Sequence, residues 1–347
     1  MNLVVEAGRK PVIIWLYTIC GMIFCMIALG GLTRLTDSGL SMVQWKVIMG
    51  AIPPLSHDDW IQVFDQYKQY PQYLKQNQGM SLDEFKFIFY MEYFHRLLGR
   101  LIGVAFFFPV VYFQVKGWLR PKMLAHCCAV FALGGLQGLV GWFMVRSGLV
   151  DLPRVSHYRL VLHLSLAMLV FTYALYLAFT LRIIRRPKLD DGVFEALKWP
   201  GMAALALVAC QIASGGFVAG LRAGHAYNTF PTMNGQWFPA ALWSFDPWIS
   251  NFFENPVMVQ FVHRYLALAV TVVIIALYFR FANKFSMSYM RIAFNLLLAC
   301  LVLQVTLGIS TLLLRVPVSL GSLHQIGAVC LWAVLVFICQ QAWTQRV

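Results

Sequence analysis

The chain has 347 residues, of which 60% are hydrophobic and 12% charged, and its formal net charge is +13. So apolar a composition excludes the class of water-soluble globular proteins. Long uncharged runs indicate a helical integral membrane protein instead.

Eight predicted transmembrane segments follow one another along the chain. Apolar runs of about 20 residues are long enough to cross a bilayer as helices. The opening MNLVVEAGRK does not have the pattern of a cleavable signal or an organellar transit peptide, so we expect a bacterial membrane. The predicted spans are 12–32, 97–115, 123–145, 160–181, 200–221, 257–279, 292–314 and 317–341.

Lysine and arginine are unevenly divided among the connecting segments. With the N-terminus inside, the inside segments hold 14 Lys/Arg in 51 residues and the outside segments hold 10 in 112. This is the positive-inside distribution, so we expect a multi-pass protein of the bacterial inner membrane with both termini cytoplasmic. The surplus positive charge is then explained by the membrane topology, and no nucleic-acid partner is predicted.

The first outside loop is predicted to contain two short helices. One begins at the cap Ser56-x-x-Asp59, and the other begins at the cap Ser81-x-x-Glu84 and continues into the second span. Pro71 separates them. Five aromatic residues are expected to place these helices at the membrane surface, namely Trp60, Phe64, Phe85, Phe87 and Phe89.

Similar segments recur in the two parts of the chain. EYFHRLLGRLIGVAF at 92–106 resembles QFVHRYLALAVTVVI at 260–274, and His263 follows His95 by 168 residues. Such self-similarity indicates an internal repeat. Because four spans per repeat is an even number, both repeats have the same orientation in the membrane.

A second pair of histidines shows nearly the same separation, since His324 follows His163 by 161 residues. We therefore predict an all-α membrane protein whose eight transmembrane helices form two pseudo-symmetric four-helix bundles. The N-terminal half is 1–190 and the C-terminal half is 195–347, joined by the inside linker RIIRRPKLDDGVFEALK.

Four histidines occupy matched positions at the heads of the even-numbered spans. In the predicted topology they all lie toward the outer side of the bilayer. Two of them can face each other across each bundle, which is the arrangement of bis-imidazole haem ligation. A single intramembrane histidine is equally well explained as a hydrogen-bond partner of a neighbouring helix, but four at matched positions favour haem. They are His95, His163, His263 and His324.

Arginine residues accompany these histidines. Arg96 and Arg264 each follow a histidine directly, and Arg100 lies one turn beyond Arg96. A guanidinium group binds carboxylates such as haem propionates in a bidentate fork. The same side chains are also explained by contact with the outer lipid headgroups, and both interpretations stay open.

Glu92 differs between the repeats. It lies three residues before His95 on the same helix face, whereas the matched position in the second half is Gln260. One interpretation is that the first half performs chemistry and the second half holds an electron-transfer cofactor. The other is that Glu92 forms an ion pair with Arg96 one turn away.

The chain resembles the haem A synthase family of cytochrome oxidase assembly, and the likeness covers nearly its whole length. The segments that carry it are GGLTRLTDSGLSMVQWKVIMGAIPPLS (30–56), EYFHRLLGR (92–100), RLVLHLSLA (159–167), NTFPTMNGQWFP (228–239), FVHRYLA (261–267) and LGSLHQIGA (320–328).

The resemblance implies two porphyrin sites. Haem b is expected in the C-terminal half with His263 and His324 as axial ligands. Haem O is expected as the substrate in the N-terminal half, with His95 and His163 facing its iron. On the propionate interpretation, Arg264 contacts the haem b cofactor.

The resemblance also implies an oxidoreductase that acts on a CH or CH2 group. A ring methyl of haem O becomes a hydroxymethyl group, then a geminal diol, and finally the formyl group of haem A. Glu92 is expected to orient or deprotonate the attacking water, or to stabilise a developing cation, next to the two substrate-side histidines. Arg96 and Arg100 are the expected contacts of the substrate propionates.

Further expectations concern the subgroup and the partners. All eight cysteines lie in predicted spans, so the cysteine pair that some members carry in the first outside loop is missing. The chain is therefore similar to the mitochondrial and proteobacterial subgroup. Haem O synthase, cytochrome oxidase assembly factors and membrane lipid are the expected partners, and the oligomeric state stays open, a homo-oligomer included.

Two rival functions are less well supported. A two-haem cytochrome b in quinol electron transfer usually places haems near both membrane faces, whereas all four histidines here lie near one face. A transporter with parallel repeats usually breaks paired helices at the midplane, and no such paired break is present.

Overall fold

The structure, a computed structural model, describes residues 3–44, 49–150, 152–182, 191–285 and 288–344. Within these ranges the chain is helical and contains no β-strand, only two isolated bridges. Residues 183–190, about half of the predicted linker, lie outside the described part of the chain.

The α-helices in chain order are α1 (Glu6–Leu35), α2 (His57–Tyr67), α3 (Pro71–Lys75), α4 (Leu82–Val115), α5 (Pro121–Arg146), α6 (His157–Leu181), α7 (Asp191–Leu221), α8 (Asn251–Glu254), α9 (Pro256–Phe281), α10 (Tyr289–Leu313) and α11 (Val318–Trp343). Short 3-10 helices span Met49–Ala51, Ala223–His225, Ala240–Trp243, Trp248–Ser250 and Ala282–Phe285.

Eight of the described helices are long and apolar enough to cross a bilayer, and they correspond to the predicted spans in order. Large apolar side chains on them face outward, for example Phe108 and Val115, which are 64% and 82% exposed. Such apolar surfaces can face lipid, because each helix forms its main-chain hydrogen bonds internally. The prediction of an all-α membrane protein with eight spans is confirmed.

The helix α4 is much longer than its predicted span. Its 34 residues extend over about 51 Å, whereas a bilayer core is about 30 Å thick. Ser81 caps it as predicted, since Ser81 Oγ accepts a hydrogen bond from Glu84 N at 3.3 Å and Ser81 N donates to the Glu84 carboxylate at 2.8 Å. His95 therefore lies inside a continuous helix that extends into the first loop.

The first outside loop has a hydrophobic core of its own. Phe85 is fully buried and stacks on Phe64 with ring centroids 4.8 Å apart. Around them pack Trp60, Tyr67, Ile88, Phe89 and Tyr93. Four of the five aromatic residues are buried in this core and only Phe87 is exposed, at 57%, so the other four rings do not face the membrane; the location of these helices at the membrane surface stays a prediction. The four rings are buried because α2 and the start of α4 pack them against each other.

The second outside loop is organised by buried amides rather than by aromatic packing. Asn251 is fully buried and bonds the main chain of Phe245 in both directions, at 3.0 and 2.8 Å. Asn255 donates to Ala241 O at 2.8 Å and caps α9 by accepting from Val257 N at 2.9 Å. A buried side-chain amide that forms its hydrogen bonds can hold in place a loop that has no regular secondary structure.

The chain divides into two compact units, Met1–Gly8 with Thr18–Val170, and Arg9–Tyr17 with Phe171–Val347. In the first unit α4 packs against α5. In the second unit α7 packs against α9 and α11, and α10 packs against α11. The assignment of a haem to each predicted half, and the arrangement as two bundles, stay predictions.

Candidate functional site

The second unit contains two histidine rings that face each other. His263 on α9 and His324 on α11 have ring centroids 6.5 Å apart, with their planes at 80°. Two imidazoles bound to one metal atom through bonds of about 2 Å have centroids about 6 Å apart. The observed separation therefore fits one iron atom held between the two rings.

In the described part of the chain these histidines do not belong to a larger cluster of metal-binding side chains. Among the described residues, no group of three or more His, Cys, Asp or Glu is arranged to hold a metal ion. Two axial imidazoles suffice for a haem, because the porphyrin supplies the other four ligands. The donor set thus fits an iron porphyrin better than a bare metal ion.

The first unit contains the matched histidines. His95 lies on α4 and His163 lies on α6. The Nδ1 atoms of both rings are buried and have no hydrogen-bond partner within the described part of the chain. The structure thus brings the predicted residues together as two pairs, one in each unit.

Each of the four rings lies directly against a glycine of the preceding odd-numbered span. A Cβ atom at Gly141 or Gly308 would overlap the imidazole, and one at Gly30 or Gly215 would force the ring to shift by a few tenths of an ångström, so glycine favours the approach at all four positions. None of these four glycines was singled out from the sequence. A Cβ atom would lie 3.0 Å from His95 Cε1 at Gly30, 2.9 Å from His163 Cε1 at Gly141, 3.2 Å from His263 Cε1 at Gly215 and 2.8 Å from His324 Cε1 at Gly308.

Two glutamines that sequence reasoning missed contact these histidines. Gln137 Nε2 donates to His163 O at 3.1 Å and lies 3.3 Å from the ring Nε2. Gln211 Nε2 donates to His263 O at 3.1 Å and lies 3.2 Å from the ring Nδ1. Ser214 Oγ also lies 3.2 Å from His263 Nδ1. The available signal was a glutamine four residues before Gly141 and before Gly215.

Glu92 is buried, with 2% of its surface exposed, and its carboxylate is held from two sides. The Oε2 atom accepts hydrogen bonds from Ser41 Oγ and Met42 N, both at 2.8 Å, and Oε1 accepts from Arg96. Of the two interpretations of Glu92, the ion pair with Arg96 is present. The contacts with the loop after α1 were not predicted.

The matched position in the second unit makes the opposite kind of contact. Gln260 Nε2 donates to Tyr227 O at 3.0 Å, and Arg264 Nη2 donates to the same oxygen at 2.8 Å. The first loop thus presents N–H and O–H donors to Glu92, whereas the second presents a carbonyl acceptor to Gln260. The Glu–Gln difference is explained by the loops and does not by itself indicate chemistry.

The predicted propionate-binding arginines contact the same loops. Arg96 Nη2 donates to Met42 O at 2.9 Å, and Arg264 Nη1 donates to Thr229 O at 2.8 Å. Arg100 is half-buried on α4, one turn beyond Arg96. The role that the structure shows for Arg96 and Arg264 is to fix the outside loops, and the contact with propionates stays a prediction.

Eight apolar helices, together with two pairs of histidines whose rings each pack against a glycine, define a helical membrane protein with candidate sites for iron porphyrins. Residues 13–336 match the family model COX15-CtaA, described as cytochrome oxidase assembly protein. The chain belongs to this family.

The chain is similar over nearly its whole length to curated relatives. It is 46% identical over 333 residues to Heme A synthase of Nitrosospira multiformis, covering 96% of this chain and 93% of the relative. It is 46% identical over 336 residues to Heme A synthase of Nitrosomonas eutropha, covering 96% and 94%. It is 41% identical over 342 residues to Heme A synthase COX15 of Bos taurus, covering 97% and 83%.

Proposed function

We propose that the protein is a haem A synthase, which oxidises a ring methyl of haem O to a formyl group and so gives haem A for cytochrome oxidase assembly. The observation that carries this function is an identity of 41–46% over nearly the whole chain to relatives of that name. The two pairs of histidines, each seated against glycine, supply the iron-binding groups that such an enzyme needs.

Haem b is the proposed resident cofactor, and His263 and His324 are its proposed axial ligands. The separation of 6.5 Å between their ring centroids supports this assignment. When bound, a haem held by these two histidines would supply one-electron redox chemistry. The protein holds both rings against Gly215 and Gly308, which limits the directions in which the imidazoles can point.

Haem O is the proposed substrate, bound in the first unit between His95 and His163. The same close packing of each ring against a glycine, Gly30 and Gly141, that is found for the histidines of the second unit supports the assignment. Arg96 and Arg100 lie on the same helix as His95, within two turns of it, so the substrate propionates are expected at that end of α4.

Glu92 is proposed to hold α4, and with it His95, in place at this site. Its carboxylate joins α4 to the loop after α1 through Ser41 and Met42, three residues from His95. A buried carboxylate is stable only when it is paired and hydrogen-bonded, and these contacts meet that condition. Movement of a proton or stabilisation of a cation by Glu92 stays a prediction.

The cell biology follows from the same proposal. We assign the protein to the subgroup without the cysteine pair and to the bacterial inner membrane, with both termini cytoplasmic. Haem O synthase and cytochrome oxidase assembly factors are the proposed partners, since one must supply the substrate and the others must receive the product. The oxidoreductase class, acting on a CH or CH2 group, follows from the methyl-to-formyl conversion.

Haem extraction tests the proposal. Purified wild type should contain haem b together with haem O, its hydroxymethyl derivative or haem A. His263→Ala should lose haem b, because one axial bond is removed. His95→Ala should keep haem b and form no haem A.

Two results would count against this account. Loss of haem b in His95→Ala but not in His263→Ala would reverse the assignment of the two sites. A wild-type extract with haem b alone, in cells that make haem O, would contradict the enzyme function and favour a cytochrome b.

A further inference from the structure

A cavity lies between the end of α5 and the start of α6, in the first unit. It encloses about 360 Å³, and small-molecule sites typically enclose about 300–1,000 Å³. Its lining combines two guanidinium groups with apolar side chains and a hydroxyl group, and it contains no carboxylate. The lining residues are Phe143, Arg146, Ser147, Val150 and Arg159. A cavity with two positive charges and no negative one fits an anionic ligand.

The cavity lies next to the proposed substrate ligand His163, along the same two helices. A Cβ atom at Gly141 of α5 would lie 2.9 Å from His163 Cε1. Two residues further along α5, Phe143 O accepts a hydrogen bond from Arg159 Nη1 at 2.6 Å. Arg159 precedes His163 by four residues, so the two side chains share a face of α6 and lie about 6 Å apart along its axis.

Aromatic rings hold both guanidinium groups in place. The guanidinium carbon of Arg159 lies 3.5 Å from the centre of the Phe143 ring, and that of Arg146 lies 5.5 Å from the centre of the Trp142 ring. A guanidinium group has five N–H donors, and the bond from Arg159 to Phe143 O uses one of them. The others suit the two oxygens of a carboxylate, at a low entropic cost because the group is already oriented.

The second unit carries leucine at both matched positions. Arg146 lies five residues after the glycine that touches its histidine, and the residue five after the matched glycine is Leu313. Arg159 lies four residues before its histidine, where the second repeat has Leu320. The nearest basic residue, Arg315, follows the end of α10. A pair of arginines on the helices themselves is therefore a property of the proposed substrate unit.

A substrate porphyrin needs a contact that a resident haem does not need. Two axial imidazoles fix the iron but leave the ring free to rotate about the axis that joins them. A reaction at one ring methyl requires that this methyl be held against the reacting groups. A contact at the edge of the ring, away from the axis, prevents the rotation. One-electron chemistry at a resident haem has no such requirement.

We propose that Arg146 and Arg159 bind a propionate of the substrate porphyrin and so determine which ring methyl faces the reacting groups. This inference rests on the proposed function, and it adds a contact from α5 and α6 to the arginines of α4. Two guanidinium groups also suit the phosphate of a lipid headgroup. A porphyrin is favoured because the proposed iron ligand His163 lies one turn away on the same face of α6.

Two forms of one porphyrin test the site. Haem O and its propionate dimethyl ester are titrated into the purified full chain with its haem b, and the change in Soret absorbance gives a Kd for each. Wild type should bind the diacid on the order of 10-fold more tightly than the ester, which has no charged group to accept the hydrogen bonds. The double variant Arg146→Leu with Arg159→Leu, which copies the second unit, should lose most of this preference.

Arg154→Leu is the matched control. Arg154 is an exposed arginine of the same α5–α6 connection, but it does not line the cavity, so this variant should keep the preference of wild type. Arg159→Lys keeps the charge without the fork of donors and should keep part of the preference. An unchanged haem b content per protein shows that each variant has folded.

An unchanged preference in the double variant would overturn the proposal. If that variant also purifies with less anionic phospholipid, the cavity belongs to a lipid headgroup instead. Binding is measured without turnover, so it reports on the arginines even in a preparation that forms no haem A. A wild-type protein that makes haem A, together with an unchanged double variant, would leave the proposed function standing and remove only this inference.

Discussion

The environment of Glu92 shows how one residue difference between two repeats arises. A carboxylate can only accept hydrogen bonds, whereas an amide can also donate them. The first loop offers Ser41 Oγ and Met42 N, and the second offers Tyr227 O, so each repeat has the side chain that its loop requires. Whether glutamate or glutamine occupies this position therefore follows from whether the loop offers hydrogen-bond donors or an acceptor.

This view predicts the behaviour of two variants. Glu92→Gln should keep both haems and lower haem A formation, and Ser41→Ala should lower it by about tenfold as well, because misplacement of a site by about 1 Å is costly. Haem A per haem b in purified protein is the measurement. Ser244→Ala is the control, because this exposed serine of the second loop also donates to a main-chain oxygen, Ala241 O, and accepts from a side chain, Asn255 Nδ2, but lies in the other unit.

The outcome separates positioning from proton transfer. If Ser41→Ala works like wild type while Glu92→Gln is inactive, Glu92 acts through its own chemistry and not through the loop. Wild-type turnover in Glu92→Gln would remove this residue from the mechanism altogether.

Among the elements, α4 joins the loop core to the candidate site. Its first turns contribute Phe85 and Phe89 to the aromatic core of the first loop, and the same continuous helix carries His95. A rigid helix transmits the position of that core to the imidazole without an intervening hinge. The loop therefore belongs to the architecture of the site, although it lies outside the predicted span.

Tyr67 provides a test of this element. Its hydroxyl donates to Gln72 Oε1 at 3.0 Å and accepts from Asn77 Nδ2 at 2.7 Å. Tyr67→Phe leaves these two amides without their partner, which costs about 1–3 kcal/mol. Hydrogen exchange of the amides in α2 should therefore be faster than in wild type, and Tyr70→Phe should change it little. Equal effects of both variants would contradict a role for the Tyr67 hydrogen bonds.

The same residue gives the loop a pH dependence. Burial raises the pKa of Tyr67 to about 12, so the folded loop favours the neutral phenol. Its contribution to stability is complete below about pH 10, the ordinary pKa of a phenol, and is lost as the pH rises through the raised value. Phenolate absorbance should show one tyrosine that titrates late, and this late component should be missing in Tyr67→Phe.

At the scale of the whole molecule, charge distribution and helix count together imply an orientation. Because the described residues contain eight candidate spans, an even number, and Lys and Arg are enriched in the segments predicted to be inside, we expect both termini in the cytoplasm. A fluorescent protein fused after residue 347 should fluoresce, and alkaline phosphatase fused at residue 250 should be active. The reverse pattern would place the histidine pairs near the cytoplasmic face.

Much of the molecule was predictable because the signals are local. Apolar length defines a span, a Ser-x-x-Glu cap begins a helix, and a histidine near a span head is visible in the sequence itself. These features allowed the eight spans, the start of α4 at Ser81 and the four candidate ligands to be predicted. The burial of four of the five loop aromatics was not predicted, because exposure depends on what packs against a ring.

The sequence alone determined the class of the protein, the number of its spans and the identity of its candidate iron ligands, since each of these is a property of a short segment. Only the tertiary structure decided what surrounds those ligands. The contacts of glycines and glutamines with the histidines join residues on different elements. So does the hydrogen bond from Ser41 to Glu92, which spans 51 residues of the chain. Their geometry exists only once the helices have packed, because a distance between two helices is not encoded in either one.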